Sequence, residues 1–74
     1  MPDRQSVIKF GRTDGSAAKT IFFRSRIRGL ELANSLAFVF FEQHPFKTSA
    51  GRDGDEVRHE GNGFYVAYKE ENEL

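Results

Sequence analysis

The stretch "LANSLAFVFF", Leu32–Phe41, carries only two polar side chains, Asn34 and Ser35. Whether it forms helix or strand decides the fold. Read alone, "AFVFF" (37–41) suits a strand, because aromatic and β-branched side chains pack well on a pleated surface. With "LELANSL" (30–36) before it, the apolar pattern runs too long for a strand and fits a helix. Ser25 is placed to cap the first turn, and Gly29 weakens it. Pro45 stops the helix, since the residue before proline avoids helical ψ and proline lacks a donor. The expected helix is 26–43.

Strands are expected on both sides. "SVIKFGR" (6–12) alternates, with Ile8 and Phe10 on one side and Val7, Lys9 and Gly11 on the other. Asp14-Gly15 is a turn dipeptide, both residues tolerating positive φ. "AKTIFFRS" (18–25) follows, with Ile21 and Phe23 on one face and Thr20, Phe22 and Arg24 on the other. After the helix, "KTSAGRDGD" (47–55) reads as loop and "DEVRHE" (55–60) as a weak edge strand. Asn62-Gly63 is the strongest hairpin signal in the chain. "FYVAYKE" (64–70) then alternates again, Phe64, Val66 and Tyr68 against Tyr65, Ala67 and Lys69. The expected fold is α+β in the order ββαββ: two β-hairpins forming a mainly antiparallel sheet packed against one central helix. A single domain, 1–74, is expected, with flexible ends at 1–5 and 70–74.

On a helical wheel, Leu30, Ala33, Ala37, Phe40 and Phe41 share the face expected to lie on the sheet. Leu36, Leu32 and Val39 extend the apolar arc to about 200°, whereas a helix on one sheet needs little more than 100°. Phe38 intrudes beside the polar wedge of Arg28, Glu31, Ser35 and Glu42. Two kinds of cover follow. Either a dimer mate or foreign protein sits on Leu32, Leu36, Phe38 and Val39, or the chain's own 46–54 loop, with Phe46, folds over the helix.

The 74 residues contain no cysteine, so disulfides and thiolate metal sites are excluded. A chain this short buries only about 60% of its unfolded surface, which makes a partner's contribution to stability valuable. No apolar run approaches the length of a membrane span or a signal-peptide core, and a cytoplasmic protein is expected. Formal net charge is zero but unevenly spread: residues 1–37 sum to 7 − 3 = +4 and residues 38–74 to 4 − 8 = −4. The acids Asp53, Asp55, Glu56, Glu60 and Glu70 are expected to form a patch suited to a basic groove.

No catalytic or cofactor motif is found. His44 and His59 lack paired-ligand spacing with the nearby acids. "GRDGDE" (51–56) has an arginine among its acids and lacks the alternating oxygens of a calcium loop. "GRTDGSAAKT" (11–20) lacks the order of a phosphate loop and leads into a strand. The serines have no flanking base or elbow motif. The reading is therefore a non-enzymatic protein-interaction module without metal or cofactor. It would be an adaptor or inhibitor of the kind carried by phages and mobile elements, binding a protein partner or forming a homodimer. The second reading is a single-stranded nucleic-acid binder. Lys9, Phe22, Arg24, Tyr65 and Lys69 would form one sheet face, extended by Arg26, with aromatics to stack bases and cations to meet phosphates.

Overall fold

A computed structural model describes residues 4–47 and 54–72. The chain runs through β1 (Arg4–Arg12), β2 (Lys19–Phe23), α1 (Arg26–Phe41), β3 (Val57–Gly61) and β4 (Phe64–Asn72). The four strands form one antiparallel sheet in the order β2-β1-β4-β3, with α1 across one face. The two hairpins thus lie side by side, joined through the central β1–β4 pair.

Both hairpin turns follow from local chemistry. Asn62 and Gly63 each have positive φ, 53° and 82°, the requirement of the two-residue turn whose twist matches its strands. The Asn62 side chain also donates to the carbonyl of Phe40 at 3.1 Å, tying the turn to the end of the helix. In the first hairpin, Asp14 Oδ1 accepts from the Ser16 amide at 2.8 Å. That bond and the Ser16 hydroxyl hold the Asp14 carboxyl below its usual range.

The helix begins as expected. Ser25 has extended backbone, and its hydroxyl accepts from the Arg28 amide at 3.2 Å. It ends at Phe41, earlier than the expected 43, because Glu42 turns left-handed at φ 59° while its amide still reaches the Phe38 carbonyl. The chain therefore leaves the helix before Pro45 can act. Phe46 can then turn back and bury itself against Tyr68 and His59.

The helix rests on the sheet through small residues. Gly29, Ala33 and Ala37, four apart, are its buried positions. The tightest approach is at Gly29, where a Cβ would collide with the Ser6 side chain. Below lie Ile8, Val66 and Tyr68, all fully buried. Larger side chains flank this seam, with Phe40 stacked on Phe64 at 4.8 Å and Leu30, Leu32, Leu36 and Phe41 packed half-buried against the core.

Sheet pairing extends further than the expected strands. Pairing continues through Gln5↔Glu71 to Arg4↔Asn72, so residues 4, 5 and 70–72 belong to the sheet. Glu70 is buried rather than part of a solvated tail. The reason is register: Glu70 follows Phe64, Val66 and Tyr68 at intervals of two and shares their helix-facing side.

Gly29→Ala tests the seam. Helix propensity favours alanine by about 1 kcal/mol, but overpacking against Ser6 costs about 1–3 kcal/mol. The variant should unfold at lower urea concentration than wild type. A higher midpoint would show that the helix does not need this approach.

Candidate functional site

Three surfaces bear on function: the outward face of α1, the open face of the sheet, and the acidic segment before and along β3.

The outward face of α1 follows from the seam. With Gly29, Ala33 and Ala37 facing the sheet, the opposite side carries Arg28 and Ser35, and the left-handed cap Glu42 follows seven residues further on, just past the last turn. Large apolar side chains stand on both sides of that ridge. Val39 is 71% exposed, Ile27 63% and Phe38 53%. The expected interface of Leu32, Leu36, Phe38 and Val39 therefore divides. Leu32 and Leu36 pack half-buried against the chain's own core, while Phe38 and Val39 remain open. Phe38 is held in place by His44, whose ring stacks on it at 5.2 Å and 14°.

Ile27 is an apolar outward residue that the helical wheel did not single out, since it stands between Arg26 and Arg28 in sequence. Next to Phe38's side of the ridge lies a shallow depression of about 230 Å³, lined by Arg26, Ile27, Leu30, Glu31 and Asn34. The alternative cover for the helix flank is the 46–54 loop with Phe46, of which 48–53 lie outside the described residues. Phe46 itself packs at the β3 side of the helix, its backbone pinned by Asn34. The Asn34 amide donates to the Phe46 carbonyl, and Asn34 Oδ1 accepts from the Phe46 amide, each at 3.1 Å. It leaves Val39 bare.

The open sheet face brings together part of the expected nucleic-acid surface. Cross-strand register sets Val7 between Phe22 and Lys69, and Lys9 between Thr20 and Ala67. Phe22 is 63% exposed. Tyr65, however, is buried beneath the Arg58 guanidinium, which sits 4.0 Å from the ring centroid. Arg58 also pairs with Glu60 at 2.7 Å, and Lys69 with Glu71 at 3.4 Å. Arg26 belongs to the helix layer, on the other side of the sheet. Arg24 follows the end of β2 and is exposed. The face thus offers one open aromatic ring, and two of its cations already hold carboxylates. Tyr65 and Phe22 are not cross-strand partners either, for Tyr65 pairs with Gly11.

The acidic set is also divided. Asp55, Glu56 and Glu60 are exposed, whereas Glu70 is buried and cannot contribute to a surface patch. Asp53 lies outside the described residues. Among the described residues, no three His, Cys, Asp or Glu side chains gather as a metal site. None of the helices there is long and apolar enough to cross a membrane.

Glu70 belongs to a buried polar cluster that sequence reading missed. Its carboxylate accepts from the Tyr68 hydroxyl at 2.9 Å, and the Ser6 hydroxyl lies 3.1 Å from the Tyr68 hydroxyl oxygen. The signal was available: carrying the two-residue alternation of β4 one step further places Glu70 under the helix. Burial, reinforced by the neighbouring carboxylate and opposed by Ser6, pushes the Tyr68 hydroxyl up to about 12. The cluster is closed beneath the first turn of α1 and serves structure.

Comparisons with protein families, curated proteins and solved structures give no match.

The Tyr68 shift fixes a pH dependence. A hydroxyl raised in the folded state contributes stability in full below its unfolded value of about 10. That stability is lost as pH rises through about 12. Urea midpoints taken across this range should fall with pH, and Tyr68→Phe should flatten the fall. An equally steep decline in the variant would place its origin elsewhere.

Proposed function

We propose that this protein is a non-enzymatic protein-interaction module that docks through the outward face of α1, acting as an adaptor or inhibitor by occupying a partner's surface. The observation that carries the reading is the exposure of Val39, Ile27 and Phe38 on one helix whose other large apolar residues are at least half covered. Covering Phe38 and Val39 on association would gain about 1–2 kcal/mol each. Phe38 is already stacked on His44, so less side-chain entropy is lost when it becomes an anchor. Around this centre stand Arg28, Glu31 and Glu42, the polar rim that gives orientation and excludes wrong partners. The exposed acids Asp55, Glu56 and Glu60 supply a second, electrostatic contact for a basic surface. The sheet face supports nucleic-acid binding less well, since Tyr65 is covered and Arg58 and Lys69 are paired.

Phe38→Ser combined with Val39→Glu tests the reading. Both positions are exposed, so the unfolding free energy from urea titration should change by about 0.5 kcal/mol or less. Association seen with the wild type should disappear, and hydrogen exchange should show α1 protected only in the wild-type complex. Equal association by both proteins would remove the helix face from consideration. Retention of nucleic acid alone, lost in Phe22→Ala, would move function to the sheet.

A further inference from the structure

We infer that the occupant of this face is a second copy of the same chain, its α1 packed antiparallel about a twofold axis passing beside Ser35. The inference rests on the helix-face reading above and names its partner.

The first reason is the distribution of charge. The first turn of α1 contains no acid and its last turn no base. Instead Arg26 and Arg28 stand at the positive end of the helix, and Glu42 caps the negative end. Each opposes the helix's own dipole. The side chains of Arg28 and Glu42 have no hydrogen-bond or ion-pair partner among the described residues. An arrangement unfavourable within one helix becomes favourable between two antiparallel ones. Arg28 and Glu42 lie seven residues either side of Ser35, about 10.5 Å each way along the axis. A twofold axis beside Ser35 therefore sets Arg28 of each copy against Glu42 of the other, twice over.

The same operation matches the apolar groups. Leu32 and Val39 lie on one side of the ridge, three residues before Ser35 and four after it. Twofold symmetry brings Leu32 of one copy onto Val39 of the other. On the opposite side, Phe38 falls at the level of Glu31 and Asn34 in the second copy. It thus faces the depression bounded there by Ile27, Leu30 and Glu31, whose volume of about 230 Å³ accommodates a phenyl ring. Ser35, small and exposed at the centre, lets the two helices approach. The register that pairs the charges also pairs the grease and fills the hollow. A foreign partner would have to supply all these features independently.

Charge reversal tests the proposal. Arg28→Glu gives a chain with acids at both ends of the ridge, and Glu42→Arg one with cations at both ends. Both changes favour the helix dipole, so circular dichroism should show each variant folded. Sedimentation equilibrium should show concentration-dependent dimers for wild type. Each single variant should associate at least about tenfold more weakly, as expected for loss of close interfacial charge pairs. The doubly reversed chain should dimerise again, and an equimolar mixture of the two single variants should form a heterodimer. Because the native chain has no cysteine, Ser35→Cys should additionally oxidise to a disulfide-linked dimer.

A wild type that stays monomeric at millimolar concentration overturns the second copy. So does a dimer that tolerates both single reversals, or a mixture that fails to pair. The helix-face reading falls separately, only if Phe38→Ser with Val39→Glu leaves every association intact.

Discussion

The contact on which the rest of this structure depends is the approach of α1 to the sheet at Gly29. A side chain there would collide with Ser6. Its absence, continued by Ala33 and Ala37, lets the helix backbone sit low over β1 and β4. Dispersion attraction falls steeply with separation, so a low seat gives Ile8, Val66 and Tyr68 close-packed neighbours from a short chain. It also fixes the rotation of the helix. Once the small residues face inward, the bulky ones must go to the flanks or outward.

That rotation resolves the surplus of apolar residues. With the seam centred on Gly29, Ala33 and Ala37, Leu30 and Phe41 fall on one flank and Leu32, Leu36 and Phe40 on the other. All five are half-buried against the core. What remains uncovered is a narrow outward band containing Ile27, Phe38 and Val39. The chain does shelter much of its own apolar arc. Its surplus is smaller than the wheel suggests, and more sharply placed.

The polar groups near the seam obey the same geometry. Ser6 meets Gly29 because it is a helix-facing residue of β1 beneath the first turn, and its hydroxyl bonds to Tyr68, which donates to Glu70. A buried carboxylate is costly unless hydrogen-bonded, and here the tyrosine supplies the bond. At the other end, Asn34 spends its amide on the backbone of Phe46, and Asn62 on the last turn of the helix. These side chains join the loops to the helix. The outward face is left as the surface of α1 that no strand of the described chain touches, with His44 stacked on Phe38 at its edge.

Much of the architecture was legible in the sequence because it rests on local rules. The two-residue alternation of β1, β2 and β4 assigned their faces, Asn62-Gly63 specified its turn through positive φ, and Ser25 marked the helix start. Such signals depend on neighbours along the chain, and one sequence contains them all. The seam was not legible. Gly29 looks like a weakness in a helix until Ser6 is seen beneath it, and no local rule links residues 6 and 29. The left-handed stop at Glu42, the burial of Phe46 and Glu70, and the cover of Arg58 over Tyr65 are likewise contacts between distant segments. The sequence by itself determined the elements and their oily faces. Only tertiary structure decided which oily residues stay bare, because that depends on how closely and at what rotation the helix meets the sheet.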